Sequence, residues 1–410
     1  MDSVKEKYAA IGVDVDSAIE KLKKIKISLH CWQGDDVNGF MNKSANKGGV
    51  MATGNYPYMA TTPQELREDL EKALSYIPGK HKVNLHAIYV DTDEQIDAVD
   101  IAPKHFAKWV DWAKKHGLGL DFNPTCFANQ MFKDGFTIAH SDKAVANYWI
   151  EHCKKSRKIA NYFGAELGQQ AVNNFWFPDG YKDTPVDRLA PRARMAEAMN
   201  EVLSEKMDSK NHLDTIESKL FGIGVESYVV ASHEFCTLYA QQKNIGVCLD
   251  SGHFHLTESV ADKMSNFKLF NVPLLLHVSR PVRWDSDHVV AYDDALVAMT
   301  GELIKNNMLD STHIGLDFFD ASINRIAAWA IGSRNTLKSL LFALLQPTQK
   351  LKEIELGGDL TSRLAITEEL KSYPFGEVWD YYCQQMGVLQ GLDWLKDLKQ
   401  HESTILVKRK

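Results

Sequence analysis

The chain has no C-x-x-C pair. Its six cysteines, Cys31, Cys126, Cys153, Cys236, Cys248 and Cys383, are scattered, which argues against both a disulfide framework and a thiolate zinc site. Reduced thiols in or near the core are expected. Long apolar runs are also missing: the longest, such as VPLLLHV, fall far short of the ~20 residues that cross a bilayer. The charged start MDSVKEKYAAIGVDVD lacks the apolar centre of a signal peptide. A soluble, cytoplasmic protein with no membrane partner is the expectation. Nor is there a basic block. With 47 Lys and Arg against 54 Asp and Glu, the formal charge is −7, which argues against nucleic acid as a partner.

What is present is enough apolar material for a large core. The 410 residues are 44% hydrophobic and 10% aromatic, a size that fits one α/β barrel or two ordinary domains. Eight short strand-like runs alternate with stretches of helical periodicity: IKISLHCW, KVNLHAIYV, GLGLDFNP, GAELGQQAV, HLDTIESK, NIGVCLD, VPLLLHVS and THIGLDFF. This is the pattern of parallel strands with crossover helices. Thr62 and Pro63 read as cap and first position of one helix, while Gly117 and Gly164 read as the ends of two others. Eight units predict a closed (β/α)8 TIM barrel over residues 1–346. An open doubly wound sheet is the rival, but HCWQGDDVNGF follows the first run where a Gly-rich phosphate loop would stand.

Two regions fall outside the repeat. Residues 38–62, rich in Gly, Ser and Asn, read as a lid. Residues 347–410 keep helical periodicity but supply no barrel strand, so they read as a helical extension packed on the barrel or on a neighbouring subunit. Their VKRK end reads as a solvated terminus.

In such a barrel the strand ends converge on one mouth, where catalysis takes place. Here the ends carry His30 and Trp32, His86, Asp121 and Asn123, Trp176, Glu217 and Lys219, Asp250 and His253, His277 with Asp285 and Asp287, and Asp317. Carboxylates and imidazoles without thiolates suit Mn, Mg, Co or Zn. Strand parity puts Gly315 on the face of Asp317, leaving room beside the carboxylate, and Glu217 on the face of Lys219. Taken singly, each group has a plainer account: Glu217 with Lys219 as an ion pair, WDSDH as a solvated turn, the histidines as backbone partners, Trp32, Trp176, Phe318 and Phe319 as core. Taken together, polar ends on four successive apolar runs point to a metal cup, because burying them uncompensated is costly.

The strings ESKLFGIG, LDSGHFHLTE, LLLHVSRPVRWDSDHVV and HIGLDFFDASINRIAAW, with LHCWQGDDV, ATGNYP and NNFWFPDG, closely resemble the L-rhamnose isomerase family along nearly the whole chain. Leu256 departs from the resemblance, standing where proline is expected. The resemblance implies a barrel of the xylose-isomerase-like group, a homotetramer, and interconversion of an aldose and its ketose with two divalent ions per subunit. Mn2+ is the first choice, with Zn2+ or Co2+ as alternatives. It assigns Glu217, Asp250, His277 and Asp317 to a structural ion and His253, Asp285 and Asp287 to a catalytic one, with Asp320 as the rival to Asp317. Lys219, Asp317 and His253 would act in catalysis, and Trp176, His86 and Lys219 would line the sugar pocket. A hydride shift between carbons 1 and 2 is favoured over an enediol route. Other readings are an isomerase or epimerase for another sugar, a DNA-repair endonuclease of the same barrel group, and a non-catalytic sugar binder.

Overall fold

The computed structural model describes residues 1–41, 53–222 and 224–409. Eight strands form a closed parallel barrel: β1 (Ile27–His30), β2 (Lys82–His86), β3 (Gly119–Asn123), β4 (Ala171–Phe175), β5 (His212–Glu217), β6 (Gly246–Asp250), β7 (Leu274–Val278) and β8 (Thr312–Leu316). Each strand pairs with its neighbours in sequence, and β8 returns to β1. Helices cover the outside while side chains fill the inside, so almost every strand residue is buried. This is why the strands read as apolar runs rather than strict alternations.

Local chemistry closes the helices. Thr62 accepts a hydrogen bond from the Glu65 amide at 3.2 Å, with Pro63 in the first turn of Pro63–Leu74. Gly117 takes φ 65° at the end of Ala107–His116, a left-handed turn that costs glycine nothing.

Gly164 is different from expectation. Helix Lys143–Leu167 runs through it and ends at Gly168, φ 62°. A Cβ at Gly164 would lie 1.9 Å from the Asn211 carbonyl oxygen, so this glycine permits close packing rather than termination. The fourth strand accordingly begins at Ala171, and the front half of GAELGQQAV is the last helical turn.

The described tail forms four α-helices, Thr348–Leu356, Leu360–Leu370, Phe375–Gln385 and Asp393–Thr404, and a short 3-10 turn, Leu406–Lys408. Val378, Trp379, Tyr382, Trp394 and Leu398 are buried in the same core as the barrel's helices. The VKRK end is not simply solvated: Arg409 grips Asp69 through two hydrogen bonds of 2.6 and 2.8 Å, with its side chain 8% exposed. Of the expected lid, residues 42–52 lie outside the described residues. Its described flanks are tied to the barrel mouth, with the Ala60 amide on Gly34 O, Tyr56 on Ala321 O and Phe40 on Ile88 O.

Candidate metal centre

Four side chains meet at the C-terminal ends of four successive strands. Glu217 closes β5, Asp250 closes β6, His277 is next to last in β7, and Asp317 follows β8. One ligand atom from each lies within 4.8 Å of all the others, and all four residues are buried. The His277 Nδ1 atom is 3.0 Å from Asp317 Oδ2, 3.2 Å from Glu217 Oε2 and 3.8 Å from Asp250 Oδ2. Yet His277 Nδ1, Asp250 Oδ2 and Asp317 Oδ1 each lack a hydrogen-bond partner. These atoms are close without being aligned for donation, the arrangement expected when lone pairs converge on one point, as around a cation. The space left by Gly315 is filled by the His277 ring, whose Cδ2 would be 2.9 Å from a Cβ there. Asp320 is elsewhere, its carboxylate bound to the Ser322 amide and hydroxyl at 2.9 and 2.5 Å.

A second group adjoins the first through Glu217. While Glu217 Oε2 faces His277, Oε1 is 3.0 Å from His253 Nδ1. His253 Nδ1 also lies 2.8 Å from the Ser218 carbonyl, which fixes a proton there and makes Nε2 the nitrogen that would hold an ion. That Nε2 is 3.4 Å from Asp285 Oδ2 and 3.3 Å from Lys219 Nζ. Lys219 pairs with Asp285 at 2.5 Å, not with Glu217. Asp287 belongs to the same electrostatic neighbourhood, but His253, Asp285 and Asp287 do not gather as tightly as the first four residues.

The charges in this cup do not balance internally. Burial, together with repulsion from Glu217, Asp317 and Asp285, pushes the Asp250 carboxyl up to about 8 despite the pull of His253. Burial and Asp285 likewise drive Asp287 well above the usual carboxylate range. Burial opposes ionisation at Glu217 too, but His277 and His253 hold it well below that range. Burial is again outweighed at Asp285, by His253 and Lys219. Five acidic side chains face His253, His277, one ammonium and the His30 imidazole, which burial keeps neutral, an excess of acidic groups that buried sites offset with a cation. The donor set fits a hard or borderline divalent ion.

Beside the cup, Trp32 stacks on His86 with centroids 3.9 Å apart. Phe127 bridges Trp32 and Trp176 at 6.5 and 5.9 Å, and Lys219 Nζ lies 5.3 Å over the Trp176 ring. Both His86 nitrogens and the Trp176 indole nitrogen lack partners, so they are available to a polar ligand. Burial, then repulsion from His277, lowers His86 to about 3, which makes it a neutral imidazole.

A profile of the L-rhamnose isomerase family matches residues 1–409. The chain belongs to the L-rhamnose isomerase family. It is 61% identical over 406 residues to the L-rhamnose isomerase of Listeria monocytogenes serotype 4b (strain F2365), covering 99% of this chain and 97% of that relative. It is 54% identical over 409 residues to the one from Yersinia pseudotuberculosis serotype O:1b (strain IP 31758), covering 100% and 98%. Among solved structures, an L-ribulose 3-epimerase superposes with a TM-score of 0.50 at 11% identity, over 80% of this chain and 97% of that one, a likeness of fold.

Several residues around this family member's site received no role from the sequence. His30 Nδ1 is 3.2 Å from Asp317 Oδ1, and Asn174 donates to Glu217 Oε2 at 2.5 Å. Cys248 lies within ligand distance of Glu217 and His277. The consecutive asparagines of AVNNF were a signal for Asn174, because amides in a fully buried strand need partners. Asp121, by contrast, is not at the mouth. It accepts from Lys82 at 2.9 Å and from the Val172 amide at 2.8 Å, low in the barrel.

Proposed function

We propose that this chain interconverts L-rhamnose and L-rhamnulose with two divalent ions, Mn2+ first and Zn2+ or Co2+ as alternatives. Membership of the family is the observation that carries the substrate, and the unbalanced cup at the strand ends is what supports metal dependence. Glu217, Asp250, His277 and Asp317 hold the ion that orients sugar hydroxyls, with Glu217 reaching toward the second group. His253, Asp285 and Asp287 hold the catalytic ion. When bound, the ions polarise the carbonyl and the neighbouring hydroxyl oxygen. Lys219 aims its ammonium at the oxygen where negative charge develops, within walls formed by Trp176, Trp32 and Phe127 that keep water out. His86, neutral, exchanges hydrogen bonds with the sugar and leaves protons where they are. His253 and Asp317 complete the catalytic set. The nearby acids already serve the cup, and His86, lowered to about 3 by burial, is too weak a base to abstract a carbon-bound proton, which favours direct transfer of the hydrogen between carbons 1 and 2.

The protein is read as cytoplasmic, as a homotetramer, and as a barrel of residues 1–346 with an extension of 347–410. The test is incubation of manganese-loaded protein with L-rhamnose labelled with deuterium at carbon 2, beside L-mannose, L-lyxose, D-allose and L-fucose. L-rhamnulose retaining deuterium at carbon 1 is expected. Ketose from L-fucose alone would replace the substrate assignment, and washout of label would replace direct transfer with an enediol.

A further inference from the structure

The opposite end of the barrel holds a second cavity. Where the strands begin, a funnel of about 800 Å³ opens between the Val15–Leu22 helix, the first residues of β1, β2 and β8, and the loops before β4 and after Leu303. That size is in the range of small-molecule sites. One strand length, roughly 13 Å, separates it from the metal cup.

Its lining inverts the charge of the whole molecule. The chain carries a formal charge of −7, yet Lys21, Lys24, Lys26, Lys82, Lys305 and Lys352 line the funnel against only Asp121 and Asp310. Lys82 is neutralised by Asp121 at 2.9 Å. Among the described residues, no carboxylate pairs with the ammonium groups of the other five. Lys26 instead donates to the Gln169 amide oxygen, and Lys352 to the backbone carbonyl of Lys305. Burial and the nearby Lys82 lower the pKa of Lys26, as expected for positive charge lacking its counter-charge. At the floor, Ser28 is 5% exposed and its hydroxyl has no partner, and Thr312 also presents a buried hydroxyl without one. A buried hydroxyl with no partner costs free energy unless something fills the space.

We propose that this funnel binds a compact multivalent phosphate anion, held by Lys24, Lys26, Lys305 and Lys352 with Ser28 donating from the floor. Lysines act as mobile point charges that suit phosphate oxygens arriving from several directions. No Phe, Tyr or Trp among the described residues lines the cavity, so it has no platform for a nucleobase. Three of the six lysines, Lys21, Lys24 and Lys26, come from the short run KLKKIK, and the other three are brought to it from as far as residue 352. The proposal stands whether or not the isomerase reading does.

Isothermal titration of the metal-loaded protein with fructose 1,6-bisphosphate and with inorganic pyrophosphate, at constant ionic strength, tests it. Both probes should bind. The triple variant Lys24→Gln, Lys26→Gln, Lys352→Gln should bind at least about tenfold more weakly at an unchanged melting temperature. Should the triple variant misfold, Lys352→Gln alone, at an exposed position, should weaken binding in the same direction, as should Ser28→Ala. Equal binding by wild type and variants would place the anion elsewhere, including at the metal cup, and would overturn the proposal. So would the absence of binding up to about 1 mM, or sulfate binding as tightly as the probes, which would mean general screening of charge.

Discussion

Lys219 ties the two halves of the cup together, since its ammonium touches Asp285 at 2.5 Å and His253 at 3.3 Å while lying over Trp176. If it stabilises developing oxyanion charge, Lys219→Met should lower kcat/KM by the equivalent of about 2–4 kcal/mol, with metal content retained. An ion pair of purely structural value would instead cost folding stability, about 3–5 kcal/mol for a pair as buried as Lys219 and Asp285, seen in melting and not in kinetics. Asp287 tests the assignment of the ions. Asp287→Asn should abolish most activity while leaving one ion bound per subunit, as read by elemental analysis; two ions at full occupancy would remove Asp287 from the ligand set. The acidic residues were visible as candidates because they end apolar runs. Their pairings were not: Asn174 on Glu217 and His30, though named at its strand end, on Asp317 are contacts between strands far apart in sequence.

The helix Lys143–Leu167 shows how an element answers to its surroundings. By intrinsic propensity, Gly164→Ala in a helix interior should stabilise by about 1 kcal/mol. Packing predicts the opposite, because the added methyl would meet the Asn211 backbone at 1.9 Å, and such overpacking costs about 1–3 kcal/mol. Urea denaturation should find the variant less stable. The same helix carries His152, buried, with Nδ1 donating to the Ala98 carbonyl at 2.8 Å and Nε2 accepting from the Thr125 amide at 3.0 Å. Burial lowers its pKa to about 4. The unfolded chain therefore binds more protons than the folded one between about pH 6.5 and 4, so this group's contribution is complete above that window and is lost as pH falls through it. His152→Gln can keep both hydrogen bonds without titrating. Its stability relative to wild type should improve by up to about 1.4 kcal/mol for each pH unit on going down from about 6.5 to 4, and a difference that stays constant with pH would contradict the neutral-histidine account.

On the scale of the molecule, the tail helices divide into two kinds. Phe375–Gln385 and Asp393–Thr404 bury their aromatics against the barrel, whereas the preceding pair leaves Leu356, Leu360 and Leu364 at 88, 53 and 58% exposure. Exposed leucines mark interaction surfaces when they adjoin one another, which makes these three the contact to test for the proposed tetramer. Leu360→Glu combined with Leu364→Glu should reduce the assembled mass in light scattering while each subunit stays folded. A tetramer that persists would place the interface elsewhere. The ends of the barrel also differ in charge, with carboxylates at the mouth and lysines at the base, a polarity that no count of charged residues reveals.

Residue order was sufficient for the barrel, the family and the acidic and imidazole residues of the mouth. The barrel follows from nearest-neighbour regularities, apolar runs of strand length, amphipathic stretches between them, and caps such as Thr62 and Gly117 that act within a few residues, whereas the family follows from the resemblance of whole strings. The folded chain was needed to learn that Gly164 packs rather than caps, that Lys219 pairs with Asp285 rather than Glu217, that Arg409 is anchored to Asp69, and that Asp121 lies low in the barrel. Each of these depends on an atom dozens to hundreds of residues away, brought within a few ångströms only when the eight strands close. Periodicity encodes which face of an element is buried, but the partner waiting on that face is set by closure of the barrel.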